Sequence, residues 1–230
     1  MKTLAIIPAR GGSKRIPKKN IKLFNGNPII SYSITTALNS NIFDEVMVST
    51  DSEKIAQISK DYGAKIPFMR SKKNSSDYAT TMDVIEEVLL EYESIGKKFD
   101  YFCCIYPTAP FINVEILKKA FENLINESVG CVLPVSEYTY PPQRSLVIDN
   151  NYIKMLNPEN YNMRSQDLKP IYHDAGQFYF METKVAMKEK KLYPKKTMPI
   201  IISNLECQDI DNIVDWKLAE IKYDCIKAKK

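Results

Sequence analysis

The stretch Arg10-Gly-Gly-Ser-Lys-Arg-Ile-Pro-Lys-Lys-Asn20 gathers five cations, Arg10, Lys14, Arg15, Lys18 and Lys19, around two adjacent glycines. Glycines permit a tight turn and let backbone N–H groups come close to a ligand. Positive charge concentrated on such a turn suits a polyphosphate; the plainer alternative is a solvated basic turn whose glycines only reverse the chain. The spacing is neither GxGxxG nor GxxxxGK[ST], which excludes the dinucleotide fingerprint and the Walker loop. Near the other end, Gln-Asp-Ile-Asp sets Asp209 and Asp211 two residues apart. In extended backbone both carboxylates fall on one side, and two acids plus phosphate oxygens meet the needs of Mg²⁺. Asp211 also directly precedes an amphipathic run, so helix capping competes for it. One histidine, His173, leaves little for a His-based metal site or a Ser/His triad.

These residues need elements to hold them. TLAIIPA (residues 3–9) reads as a buried strand that delivers the basic loop, not as a signal peptide, because Pro8 and Arg10 break the apolar run. EVMVST and YFCCIYP read as further strands, the latter the most central, and KIPFMR as a short one. Between them lie amphipathic runs: one over residues 28–37, SEKIAQISKDYG with a Ser52 start and a Gly63 stop, TMDVIEEVLLEYE and VEILKKAFENLINE. Strands alternating with helices specify an α/β fold with a mostly parallel sheet covered on both faces. In such sheets ligands bind beyond the carboxyl ends of the strands, which is where the basic loop falls. After Val132 the pattern changes to a Pro-, Asn- and Tyr-rich stretch, read as a hairpin-like insertion within a single domain covering residues 1–230. QFYFME and MPIIIS resume strand character, and NIVDWKLAEIKYDCIKAKK closes the chain as an amphipathic helix with a frayed basic tail.

Composition narrows the function classes. The 230 residues are 44% hydrophobic and 26% charged, with a formal net charge of +4, ordinary values for a globular chain. That excess is too small to announce a nucleic-acid partner, and no apolar run approaches the roughly 20 residues of a membrane span. Five cysteines without a CxxC pair fit a reduced, cytoplasmic protein.

IIPARGGSKRIPKKNI resembles the signature loop of the cytidylyltransferases that activate nonulosonic acids, the CMP-sialic acid synthetase group. The likeness extends over nearly the whole chain, through VSTDSEKIA, RSKKNSSDYATTMDVI and QDIDNIVDWKLAE. Within the group, CIYPTAPF and YHDAGQFY resemble the branch that acts on pseudaminic acid; sialic acid members more usually read QPTSP and NGA there. The resemblance implies a Rossmann-like, nucleotide-diphospho-sugar transferase type of fold. It also implies a homodimer with a dimerisation and sugar-pocket insertion at about residues 136–195.

By the same resemblance Ala9, Arg10, Gly12, Ser13, Lys14, Lys19 and Asn20 hold the CTP phosphates and ribose, Arg70 and Thr81 read cytosine, and Pro107 adjoins them. Asp209 and Asp211 would hold Mg²⁺, with Mn²⁺ as a substitute, and Arg10, Lys19 and Asp211 would carry catalysis. Tyr106, Arg144, Arg164, His173, Gln177 and Tyr179 would receive an acidic nine-carbon sugar, the arginines through its carboxylate. Taken alone, Arg70 reads equally well as a surface cation and Thr81 as a helix N-cap. The implied reaction moves CMP from CTP to the anomeric 2-hydroxyl of the sugar; the rivals are the same reaction on a sialic or legionaminic acid and a D-x-D glycosyltransferase.

Overall fold

In the computed structural model, which describes residues 1–228, β1 (Thr3–Pro8) is buried from Thr3 to Ile7. Its side chains alternate between two cores: Ala5 and Ile7 join one, Leu4 and Ile6 the other. The same division recurs in β5 (Tyr101–Ile105), where Cys103 and Ile105 face one layer and Phe102 and Cys104 the opposite one. A strand buried on both faces cannot alternate apolar with polar, which explains its continuous apolar run.

The main sheet has seven strands. They include β4 (Glu45–Ser49), β6 (Cys131–Glu137), β9 (Tyr172–Asp174), β10 (Phe178–Glu182) and β11 (Thr197–Ile202), in the order β11-β6-β10-β5-β1-β4, with β9 pairing β6. β1 runs parallel to β4 and β5, and β6 parallel to β11. β10 is antiparallel to both β5 and β6, so those two point the same way. β9, antiparallel to β6, is the other strand that runs against the rest. Hence the sheet is mostly parallel, and β5 and β10 share its centre.

Helices cover both faces. α1 (Ile29–Ser40), α2 (Glu53–Asp61) and α4 (Val114–Asn126) contribute Ile30, Ile34, Ile55 and Leu117 to one core. α3 (Thr81–Ser94) and α5 (Thr183–Glu189) contribute Ile85, Val88, Tyr92 and Ala186 to the other. The last helix, α6 (Ile213–Lys227), seats Trp216 against Phe24 of the small ribbon formed by β2 (Leu23–Phe24) and β3 (Asn27–Pro28). The basic tail expected beyond it, residues 229–230, lies outside the described residues.

KIPFMR is not a strand. It runs beside β4 with bonds from Lys65 N to Val46 O (2.9 Å) and from Arg70 N to Thr50 O (2.9 Å), but only Met47 and Lys65 form a bridge. Pro67 has no N–H to extend a ladder. Within residues 136–195, β7 (Leu146–Asp149) and β8 (Tyr152–Met155) make a separate hairpin turned by Asn150 and Asn151, both at positive φ, as a tight two-residue hairpin turn requires. The rest of that stretch returns to the main sheet as β9 and β10. All five cysteines are free, and burial pushes the Cys104 and Cys131 thiols up to about 12, which leaves them unreactive. No described helix is long and apolar enough to cross a membrane.

Candidate active site

β1, β4 and β5 are neighbours pointing the same way, so the segments after Pro8, Ser49 and Ile105 emerge at one edge of the sheet. The segments after Pro8 and Ile105 line a cavity of about 330 Å³, a volume at the lower end for small-molecule sites. Arg10, Ser13, Lys14, Lys19 and Asn20 line it from the basic loop, Arg70, Thr81, Tyr106 and Pro107 from the middle of the chain, and Asp211 from its far end. Ten of the residues singled out by sequence thus meet in one place.

The loop is tied down at its root. The Ala9 N–H donates to Ser49 O at 2.9 Å, the Gly11 N–H to Asp51 Oδ1 at 2.7 Å, and Asn20 Nδ2 to Arg10 O at 3.0 Å. A Cβ on Gly11 would sit 3.1 Å from Ser52 Cβ, so this glycine serves close approach; Gly12 has open space around it. Asp51, two residues beyond β4, therefore holds the loop against the strand end together with the Ser49 carbonyl. Fixed backbone at the root leaves the cationic tips to face the cavity.

Two capping questions are settled by neighbours. Asn212 caps α6, accepting from Val214 N at 2.8 Å, while Asp215 accepts from the Asn212 N–H at 2.9 Å to close a capping box. Asp211 is not the cap. Its carboxylate instead meets Arg15 Nη2 at 2.7 Å and lies 3.8 Å from Lys19 Nζ. Likewise Thr80 caps α3 with Asp83, leaving the Thr81 hydroxyl free to meet the Tyr106 hydroxyl at 3.2 Å.

Burial sets the electrostatics. Arg70 is 7% exposed, its Nε on Ser49 Oγ at 2.9 Å and its Nη2 on Ser49 O at 2.5 Å. The surface-cation reading of Arg70 therefore fails; it is a buried, preoriented donor. Lys19 donates to Ile210 O at 2.6 Å, and desolvation draws its ammonium below the usual lysine range despite Asp211 and Asp209 nearby. Desolvation, then the Asp211 carboxylate, push the Asp209 carboxyl up.

No group of three or more His, Cys, Asp or Glu side chains that could hold a metal occurs among the described residues. Asp209 and Asp211 nonetheless suit a hard cation completed by phosphate oxygens, since desolvation and then the neighbouring Asp211 charge raise Asp209, and a divalent ion would offset both. Arg15, which pairs with Asp211, is exposed and free to move aside.

The remaining sequence-derived residues do not line this cavity. Tyr179 packs edge-on against Tyr106 with ring centroids 5.6 Å apart. Gln177 is buried, its amide donating to Glu206 O at 2.5 Å while its Oε1 has no partner. His173 rests on Tyr138, ring centroids 4.9 Å apart, with Nδ1 2.9 Å from Asp174 O. Arg144 and Arg164 lie on the outer lobe, Arg144 Nη1 at 3.5 Å from Ser165 Oγ and Arg164 paired with its own Asp167 at 2.7 Å. Sequence reasoning passed over Asp77, which pairs with Arg10 and Lys14, and Asp174, which accepts from the hydroxyls of Tyr179 and Tyr193. Nothing in NSSDYATT distinguishes Asp77 from any polar-loop acid. Asp174 lies within YHDAGQFY, but only folding supplies its tyrosines.

A family model described as Cytidylyltransferase matches residues 4–227. The chain belongs to the cytidylyltransferase family. It is 46% identical over 225 residues to a pseudaminic acid cytidylyltransferase of Campylobacter jejuni, covering 97% of each. It is 35% identical to a CMP-N,N'-diacetyllegionaminic acid synthase of Legionella pneumophila, over 96% of this chain and 95% of that one. Among solved structures, a CMP:2-keto-3-deoxy-manno-octonic acid synthetase complexed with CTP superposes with a TM-score of 0.71, covering 99% of this chain and all of that one. At 17% identity, that likeness establishes the fold. For a cytidylyltransferase, the glycosyltransferase rival falls away.

Proposed function

We propose that the protein transfers CMP from CTP to the anomeric 2-hydroxyl of pseudaminic acid, releasing pyrophosphate. The observation that carries this reading is the 46% identity over 97% of both chains to a relative of that name. In the reaction the sugar oxygen bonds to the α-phosphorus as the bond to the β-phosphate oxygen breaks. Negative charge grows on the departing pyrophosphate, and Arg10, Lys14 and Lys19 line the cavity in which it would grow. Fixed donors of this kind contribute on the order of 10²–10³ in rate each. Arg70 is preoriented by Ser49 to read the base, with Thr81 beside it. Mg²⁺, held by Asp209 and Asp211, would supply charge neutralisation and orientation at the phosphates.

The sugar would enter from the side of Tyr106, with Tyr179 behind it and with Arg144 and Arg164 brought in from the lobe. Homodimer formation is part of this reading, and the lobe's exposed apolar side chains support it: Ile148 is 80% exposed and Ile153 68%. The legionaminic acid relative keeps one alternative sugar in view. Incubation with CTP, Mg²⁺ and either pseudaminic or N,N'-diacetyllegionaminic acid, following pyrophosphate and identifying the CMP-sugar by mass and retention, decides between them. Pseudaminic acid is expected to give the faster turnover. Faster turnover of the legionaminic acid reverses the assignment, and no pyrophosphate with either sugar defeats both.

A further inference from the structure

The basic loop does not face its cavity with free cations. Asp77 sits on the segment between the short helical turn Lys73–Ser75 and α3, and it lines the cavity opposite Arg10 and Lys14. One carboxylate oxygen takes Arg10 Nη1 at 2.7 Å, and the other takes Lys14 Nζ at 2.5 Å. Arg10 Nη1 also donates to Ser76 O at 3.3 Å, so the loop and the Asp77 segment are closed onto each other. A phosphate would present its oxygens to these same two nitrogens. Two anions cannot share them closely without repulsion, so the triphosphate and Asp77 compete.

We infer that Asp77 is a stand-in for phosphate: it holds Arg10 and Lys14 in the empty site, yields them to the incoming triphosphate, and competes for them again as pyrophosphate departs. Two features make the exchange cheap. The Asp77 side chain is 45% exposed, as are those of Arg10 at 38% and Lys14 at 78%, and exposed ion pairs are weak. Hydrogen bonds from Lys14 and Arg10 hold the Asp77 carboxyl below the usual carboxylate range, so it stays ionised and competitive at neutral pH. Preset cations lose less conformational freedom when the nucleotide arrives, and a resident anion keeps pyrophosphate from being held too long. The role differs from that of Asp211, whose pairs are with Arg15 and Lys19 and which is proposed above to hold Mg²⁺.

This inference rests on the nucleotide reading given above, and direct binding separates the two. Pyrophosphate and CTP are titrated into the wild type, Asp77→Asn and Asp77→Ser by calorimetry, with thermal melting of each. The wild type is expected to bind both ligands. Both variants should melt as the wild type does and bind pyrophosphate about three- to tenfold tighter, the scale of one or two exposed ion pairs. In an Arg10→Ala background the gain should shrink, because one of the contested cations is gone. If the wild type binds neither ligand, the nucleotide reading itself fails. Binding by the wild type with equal or weaker binding by both variants overturns the role assigned to Asp77, as would the unfolding of both, which would make it structural.

Discussion

At the scale of single residues, Asp211 and Lys19 carry the sharpest tests. Because Asn212 and Asp215 cap α6, Asp211 has no structural duty that Asn could not fill. Asp211→Asn is expected to melt as the wild type does while turnover falls on the order of 10²-fold, the cost of losing a main electrostatic contact. Parallel measurement of kcat and melting temperature checks it, and a fully active variant would remove Asp211 from the chemistry. Lys19 is the cation of the basic loop most withdrawn from water, and desolvation lowers its pKa. A lowered pKa means that the proton leaves at a lower pH than from an ordinary lysine, so KM for CTP should start to rise earlier on the alkaline side. Lys19→Arg keeps the charge at all pH values and should flatten that limb. A KM profile unchanged between wild type and Lys19→Arg would show that this ammonium does not serve the triphosphate.

At the scale of elements, the decisive features are helix starts. Thr80 and Asn212 take the caps of α3 and α6, and that frees Thr81 and Asp211, one position away, to face the cavity. Asn212→Ala is expected to cost about 1 kcal/mol of stability, typical for a lost cap. It should also lower activity beyond what that loss of folded protein explains, because the first turn of α6 orients Asp211. Urea denaturation together with kcat at a temperature where the variant is folded measures both. A stability loss with unchanged kcat would show that Asp211 is positioned by Arg15 and Lys19 alone. Ile148→Asp should reduce association on light scattering without altering the melting of the main sheet, and an unchanged mass would place any dimer contact elsewhere.

Across the whole molecule, Glu45 is a buried carboxylate that ties stability to pH. This residue of β4 is buried and bonds the Tyr92 hydroxyl at 2.5 Å, Lys97 at 3.0 Å and Lys65 at 3.2 Å. Desolvation works to raise its pKa, but the hydrogen bonds from Tyr92, Lys97 and Lys65 outweigh it and leave the value lowered. A carboxyl with a lower pKa folded than unfolded adds stability that is present in full above about 4.5 and is lost as pH falls through the folded value. Melting temperature followed downward through the carboxylate range should therefore drop more steeply for the wild type than for Glu45→Gln. Glu45→Leu leaves the Tyr92 hydroxyl buried without its partner and should cost about 1–3 kcal/mol at neutral pH. Equal acid profiles for wild type and Glu45→Gln would show that the titration lies elsewhere.

Local chemistry was enough to read β1, β4, β5, β10, β11, α1 to α4 and α6, because a chain that buries β1 and β5 on both sides must write them as unbroken apolar runs, and helices must write caps and a 3.6-residue period; β6, β9 and α5, in and beside the Pro-, Asn- and Tyr-rich stretch, carry no such signal. The basic loop, the acid pair and the family were legible for the same reason: their residue types and spacing are local. KIPFMR reads as a strand by its apolar content, but Pro67, which lacks the N–H a ladder needs, already argues against one in the sequence itself. Long-range facts came only with folding. Which of two adjacent residues caps a helix depends on where each side chain finds its partner, so Thr81 and Asp211 could not be told from Thr80 and Asn212 in advance. That β10, late in the chain, runs antiparallel through the centre of the sheet follows from how β9 returns to β6, not from its composition. Asp77 reaches Arg10 across a sequence separation of 67 residues, and no local signal marks a carboxylate that will meet a cation so far along the chain. Charge pairing in a folded site is decided by which loops the sheet brings to one edge, and that is a property of the tertiary structure.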